Sequence, residues 1–444
     1  MSGLASVLLA SGAVVSGSDR CGSAATVRLA EIGATVRIGQ APANIPDPCD
    51  LVVASAAVPP DNPEYAEAKR RGVQVIKYAQ LLGRLMSESA GLAIAGTHGK
   101  STTSAMTAYV LLRAGLDPTY VIGAVSPQLG GSSRAGGGNC FVAESCEYDS
   151  SFLNLRPTIA AILNIEEDHL DYYKDLDAIV AGFAAFASLV PKAGRLIVNG
   201  EDRNVARAVA GVSAAVETFG TDDACHWRAA DLEMVAGCYR FELLCGGRPM
   251  GSCTLLLPGR HNVYNATAAA AVAIHCGVPA TMALAYLGEF RGADRRITLR
   301  GCQGGVTVVD DYAHHPTEIQ ATLRAVREFY RPARLWCVFQ PHQHSRTRFL
   351  MKEFARSFAQ ADAVLLPQIY FVRDSETERA NVSAADLAAQ IRLAGGEAHF
   401  LDTFERILDH LADHVGPGDL VITMGAGDVW KVADEYLRRL QPDR

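Results

Sequence analysis

The chain has 444 residues, 49% of them hydrophobic, with 41 basic against 48 acidic side chains and a formal charge of -7. That length calls for several domains around buried cores, and the acidic balance leaves no footprint for nucleic acid and no polybasic anchor for stable membrane insertion. Its 11 cysteines contain no CxxC pair, which argues against a zinc ribbon and a disulfide framework and fits reduced thiols in a cytoplasm.

The stretch from Met1 to Val15 is apolar, but it has no basic start and its serines and glycines interrupt the apolar run, so secretion is rejected. The sequon-like Asn265-Ala266-Thr267 then carries no glycan. The chain opens inside a first helix. Residues 13–19 (AVVSGSD) predict a buried strand ending in Ser18 and Asp19, the place where a Rossmann-type domain holds a ribose or base. Strands follow at 35–39, 50–58 and 73–77, separated by helices such as 63–71, which makes residues 1–87 a small α/β domain. No strand with a glycine-rich turn precedes the first helix, so this domain is expected to lack its first strand.

The stretch GLAIAGTHGKSTTSAM, from Gly91 to Met106, is an apolar strand that breaks into a glycine turn and then a helix. It predicts a phosphate cradle. Gly96 and Gly99 allow backbone N–H groups to face inward, Lys100 reaches a β/γ-phosphate, Ser101 offers a hydroxyl to Mg²⁺, and the helix points its positive end at the anion. The strict Walker spacing asks for a glycine where Ile94 stands.

A long helix and a glycine-rich loop at 130–138, containing Arg134, come next. The strand CFVAE then closes on Glu144, a Walker-B arrangement with Glu in place of Asp as the metal-holding acid. A further apolar strand at 158–165 runs into EEDHLD, which brings His169 to the end of a neighbouring parallel strand, facing the same crevice. Short β-like runs between 196 and 257 read as added strands of this domain, assigned to residues 88–297. The turn and alanine-rich helix of LPGRHNVYNATAAAAVAI place Asn262 and Asn265 three residues apart, where their amides either meet an adenine edge or cap the helix.

From residue 298 a third domain, 298–444, is expected. GGVTVVDDYAHHPTEI is a strand ending in Asp310 and Asp311, followed by two histidines and a helix starting at Pro316. LWCVFQ opens into PHQHSRTR, whose histidines and Arg346 favour a lined cleft, and DLVITMGAGDVW adds a glycine turn after a buried strand. A second Rossmann-like unit results.

GTHGKS, AESCEYDSSF, NIEEDHLD, GRHNVYNA, DDYAHHPTEI and FQPHQHSRT, in this order, resemble the Mur ligase superfamily over nearly the whole chain. The resemblance implies an α/β protein of three domains: a Rossmann-like one for a UDP-sugar, a central P-loop ATPase, and a Rossmann-like C-terminal one for an amino acid. It implies ATP-dependent ligation of L-alanine to the lactyl carboxylate of UDP-N-acetylmuramate through an acyl phosphate, with Mg²⁺, in peptidoglycan precursor synthesis by a cytoplasmic monomer or homodimer. The alternatives are a sister ligase adding another amino acid or a recycled murein tripeptide, and a homologue impaired in catalysis.

By the same resemblance Gly96, Thr97, His98, Gly99, Lys100, Ser101 and Thr102 contact ATP, together with Asn262, Asn265, Arg296 and Asp311. Ser101 and Glu144 hold Mg²⁺, and His169 serves a second Mg²⁺. Ser18, Asp19 and Ser55 match the uridine-nucleotide side, His342 and Arg346 match the L-alanine pocket, and His98 and His315 match residues facing the reacting centre. One departure stands inside the motifs: the family usually has FQPHR where this chain has Gln343. A neutral amide cannot form the bidentate ion pair of an arginine, so Arg346 or His344 must compensate if the amino acid's carboxylate is to be clamped.

Overall fold

The computed structural model describes residues 1–59, 61–372 and 374–441. Its centre is a ten-stranded sheet whose middle is parallel, with Ala90–Ala95 flanked by Cys140–Ser145 and Ile159–Ile162. Arg195–Asn199, Ala215–Gly220 and Trp227–Val235 extend it in parallel on one side. Cys238–Cys245 and Arg248–Pro258 finish that side as antiparallel strands, so the β-like runs after residue 196 do belong to the central sheet. On the other side Thr119–Ser126 pairs with Cys140–Ser145, and Gly131–Arg134 forms the edge. Residues expected as a glycine-rich loop thus supply a short edge strand, because Gly131 and the small Ser132 and Ser133 pair antiparallel with Thr119–Ser126.

The continuous apolar runs of the middle strands suit a parallel sheet buried on both faces. Helices Lys100–Arg113 and His261–His275 pack against each other over one face, with Ala266 and Ala268 to Ala273 wholly buried. Alanine there lets the two helices approach closely. The opposite face buries Phe152, Phe183 and Phe186 with Ile162 and Val198.

The N-terminal helix Ser2–Ala10 inserts Leu4 and Val7 into that second core, beside Val121 and Phe141. Beyond it stand two separate parallel pairs, Ser16–Asp19 with Thr35–Ile38 and Leu51–Ala54 with Gln74–Lys77. The strand expected at 13–19 to be buried is shorter and largely exposed, and Val14 lies outside it, fully exposed. Hydrogen-bonded to one neighbour only, this strand has little cover to bury it.

The C-terminal unit is a six-stranded sheet in the order Thr298–Gln303, Val306–Asp311, Leu420–Met424, Leu335–Phe339, Ala363–Leu366 and Ala398–Phe400, parallel except for its first pair. Helix Pro316–Tyr330 starts at the expected proline. Its N-cap is His315, whose Nδ1 accepts from Thr317 N–H at 3.3 Å. Among the described residues no helix is long and apolar enough to cross a membrane.

Candidate functional site

The glycine turn after Ala90–Ala95 needs backbone angles that side chains resist. Gly96 and Gly99 have φ of 146° and 82°, and a Cβ on Gly99 would lie 2.5 Å from Asn265 Oδ1. Asn265 is itself held by Asn262, at 3.0 Å, and accepts from the Thr103 hydroxyl at 3.2 Å. The helix N-cap is Arg260, so neither asparagine caps it. Both are buried, and they brace the cradle from behind.

Lys100 folds back into the turn. Its Nζ donates to the carbonyls of Gly96 and Thr97 at 2.5 and 3.0 Å and pairs with Glu147 at 3.0 Å. Burial alone would lower the ammonium's pKa, but the Glu147 carboxylate outweighs it and holds the group above its ordinary value. Ser101 donates to Glu144 Oε1 at 3.0 Å, and Glu144 Oε2 accepts from Gly123 N–H at 2.6 Å. A Cβ on Gly123 would sit 2.5 Å from the same carboxylate, so only glycine lets Glu144 lie flat against this backbone.

His169, at a φ of 53°, brings Nε2 to 3.6 Å from Glu147 Oε1. The motifs place Ser101 with Glu144 at one metal and His169 at a second, and leave Glu147 without a role. The contacts likewise form two neighbouring groups, Ser101 with Glu144 and His169 with Glu147, and Lys100 pairs with the second. The signal was present in AESCEYDSS, which carries a second carboxylate three residues beyond the first.

Arg296 crosses to the cradle, its Nη2 donating to Ser101 Oγ at 3.3 Å. Ser101, Glu144, Arg295, Arg296, Asp310 and Tyr312 line a cleft of about 500 Å³ between the central and C-terminal units, and Arg295 and Arg296 lie 5.0 and 5.2 Å from the Tyr312 ring. Asp311 faces inward rather than into this cleft. Its carboxylate accepts from the N–H groups of Ile297 and Ala313, both at 2.7 Å, and burial raises its pKa to about 6.

On the other side of the cradle His98 Nδ1 donates to Glu318 Oε1 at 3.1 Å and its ring lies 4.6 Å from that of His315. Burial disfavours the imidazolium, yet Glu318 and Glu166 together raise His98 to about 10. Glu318 answers in kind: desolvation pushes its carboxyl up, while His314, His98 and Arg296 hold it well below the carboxylate range. Glu166, Asp168 and Glu318 stand in NIEEDHLD and DDYAHHPTEI, whose expected site residues are His169, His315 and Asp311.

Arg346, expected to meet a substrate, is buried and already engaged with Asp168 of the central unit. It also lies 3.3 Å from His342 Nδ1, and the His342 ring stacks on Tyr370 at 5.6 Å. Gln343 is buried at a φ of 71°, and its Nε2 has no hydrogen-bond partner among the described residues. The N-terminal candidates lie apart from all of these: Ser18 donates to Glu64 Oε2 at 2.7 Å, Asp19 accepts from Cys21 N–H at 3.3 Å, and Ser55 accepts from Ala57 N–H at 3.3 Å.

The chemistry on view is that of an anion cradle, with buried cation, hydroxyl and carboxylates, facing a second unit that supplies arginines and histidines. Comparison with known proteins agrees with it along the whole chain. Residues 1–90 match the Mur ligase family catalytic domain, 94–273 the Mur ligase middle domain, and 295–427 the Mur ligase glutamate ligase domain. A UDP-N-acetylmuramate--L-alanine ligase of Lachnospira eligens is 44% identical over 99% of this chain and 95% of its own length. One of Caldanaerobacter subterraneus is 41% identical over 98% and 95%. Among solved structures, the UDP-N-acetylmuramate-alanine ligase of Thermotoga maritima superposes with a TM-score of 0.83 at 25% identity, covering 99% of this chain and 96% of that one. A murein peptide ligase of Psychrobacter arcticus gives 0.73 at 26%, with the same coverage. With three consecutive domains matched and full-length relatives above 40% identity, the chain belongs to the Mur ligase family.

Proposed function

We propose that this protein joins L-alanine to the lactyl carboxylate of UDP-N-acetylmuramate at the expense of ATP, in peptidoglycan precursor synthesis. The observation that carries the reading is the contact with Ser101 of Arg296, at the junction with the C-terminal sheet, in a cleft that Asp310 and Tyr312 of that sheet also line. The full-length relatives support the identity of the two substrates.

A carboxylate is a poor electrophile until one of its oxygens becomes part of a leaving group. In the first step a lactyl carboxylate oxygen attacks the γ-phosphorus, the bond to ADP breaks, and an acyl phosphate forms. In the second the L-alanine nitrogen attacks the acyl carbon, the carbon–oxygen bond to phosphate breaks, and the nitrogen loses a proton. Both steps crowd anions together, so the site must hold fixed positive charge where negative charge develops. Lys100 supplies it, released from the Gly96 and Thr97 carbonyls when phosphate oxygens take their place. Arg296 supplies more from the opposite wall, and the helix Lys100–Arg113 aims its N-terminus at the same point. Asn262 and Asn265 hold the glycine turn in shape.

The donor set suits Mg²⁺, a hard cation that takes oxygen ligands: a serine hydroxyl and two carboxylates, Glu144 and Glu147, lie within the cradle, with His169 beside the second. When bound, the metal neutralises phosphate charge. Ser18, Asp19 and Ser55 take the uridine-nucleotide side, and His342 and Arg346 the L-alanine side, where Arg346 acts by fixing Asp168 and the loop around Gln343. Cytoplasmic placement follows from use of ATP and fits eleven free cysteines.

Phosphate release measured with ATP and Mg²⁺ tests the proposal. Release is expected only when UDP-N-acetylmuramate and L-alanine are both present. Release with an L-alanyl tripeptide but not with free L-alanine would replace this reading by that of a murein peptide ligase.

A further inference from the structure

We propose that His98, Glu166 and His315 form a binding site for a divalent transition cation of the Zn²⁺ class, separate from the Mg²⁺ of the reaction, that clamps the central unit to the C-terminal one. Their ligand atoms all lie within 4.8 Å of one another. His98 and Glu166 come from the central unit and His315 from the C-terminal helix cap, so a cation there would be held by both.

The ring nitrogens are already sorted for coordination. A metal-bound histidine donates its other N–H to a carboxylate or a backbone carbonyl, which fixes the tautomer and turns the free lone pair to the metal. His98 does so through Nδ1 to Glu318 Oε1 at 3.1 Å, and His315 through Nε2 to the carbonyl of Glu167 at 3.1 Å. The remaining nitrogens, His98 Nε2 and His315 Nδ1, lie 3.6 and 3.8 Å from Glu166 Oε2. Among the described residues His98 Nε2 is buried without a hydrogen-bond partner. Distances near 3.7 Å between donors are what a metal with bonds of about 2.0–2.2 Å spans. Two imidazoles and one carboxylate suit Zn²⁺, Co²⁺ or Ni²⁺ over Mg²⁺, which prefers oxygen alone.

Two existing bonds compete. His315 Nδ1 accepts the helix-cap bond from Thr317 N–H at 3.3 Å, and Glu166 Oε2 accepts from the Thr317 hydroxyl at 2.5 Å. The first is long, and a carboxylate oxygen has two lone pairs, so Oε2 can accept from Thr317 and still bind a metal. Without a metal the trio shares a proton instead, on His98 between Glu318 and Glu166.

Co²⁺ serves as the probe, titrated into the full-length protein after chelator treatment and with Mg²⁺ in excess. One Co²⁺ per chain is expected, with absorption of nitrogen and oxygen donors and no thiolate charge-transfer band, and with a rise in Tm. In His315→Ala the affinity should fall at least tenfold and the Tm rise should vanish. Glu318→Gln, which leaves every proposed ligand in place, should weaken binding by roughly 10- to 100-fold through loss of the carboxylate behind His98. Absence of saturable binding, a thiolate band, or unchanged affinity in a folded His315→Ala would overturn the site. If His315→Ala does not fold, unchanged affinity in Glu318→Gln overturns it instead.

Discussion

Arg346 donates from Nε and Nη2 to a single oxygen of Asp168, at 3.1 and 2.8 Å, and so ties the C-terminal unit to the central one through a buried pair. Desolvation would raise the Asp168 carboxyl, but the guanidinium outweighs it and keeps the group ionised well below the usual range. Removing either partner strands a buried charge, which costs about 3–5 kcal/mol. Arg346→Ala and Asp168→Ala should each destabilise by that order, and the double variant by clearly less than their sum. Denaturant unfolding of the four proteins measures the coupling, and additive losses would mean that the two side chains are not paired in solution.

Lys100 stabilises charge at the cradle in both chemical steps, so Lys100→Ala should lower kcat by roughly 10² or more while KM changes less. The loss is read as phosphate release that requires both UDP-N-acetylmuramate and L-alanine. Far-UV circular dichroism should stay that of the parent, since Lys100 contributes no part of either core cluster of the central unit. An active variant would remove the cradle from the mechanism.

Metal dependence distinguishes the two carboxylate groups of the site. Glu144→Gln and Glu147→Gln should each raise the Mg²⁺ concentration that gives half-maximal rate, and His169→Ala should resemble Glu147→Gln because those two side chains adjoin. Variants that titrate like the parent would place the metal elsewhere.

Burial raises the folded-state pKa of Asp311 to about 6 from 3.8. Between these values the folded protein binds more protons than the unfolded one, so stability from this group is greatest at low pH and falls as pH rises through that window. Asparagine does not titrate. The stability of the parent relative to Asp311→Asn should therefore decline by on the order of 2 to 3 kcal/mol from pH 4 to pH 7. Thermal or denaturant unfolding across that range gives the difference, and a flat line would contradict the buried-carboxylate account.

Much of this arrangement was legible in residues 91–106 and in the strand ends around them, because a glycine turn between a buried strand and a helix is a local structure that sequence specifies directly. The same holds for Pro316 and its helix. What stayed hidden was relational. Glu147, Glu166, Asp168 and Glu318 gain their meaning from partners between 47 and 220 positions away, and no local pattern ranks one carboxylate above its neighbour. The strand of residues 131–134 reads as loop because an edge strand of glycine and serine lacks the apolar run that marks a buried one, whereas Ala13, Val14 and Val15 supply such a run just before residues 16–19 and make that exposed strand read as buried.

Gly99 meets two separate constraints, and substitution can separate them. Its φ of 82° lies in the left-handed region, where an L side chain costs about 1–2 kcal/mol, and an added Cβ would meet Asn265 Oδ1 at 2.5 Å. Gly99→Ala should therefore destabilise by more than backbone strain alone, because Asn265 is pinned by Asn262 and Thr103 and cannot retreat without breaking those bonds. In an Asn265→Ala background the carboxamide is gone and only the strain and a softer contact with Leu163 Cδ1 at 3.2 Å persist. The cost of Gly99→Ala should then be smaller by at least about 1 kcal/mol, a coupling that unfolding of the four proteins reads out. Nucleotide affinity should follow the same order, weakest in Gly99→Ala and partly recovered in the double variant. Equal costs in both backgrounds would show that Asn265 does not brace the turn, leaving the glycine requirement to backbone conformation alone.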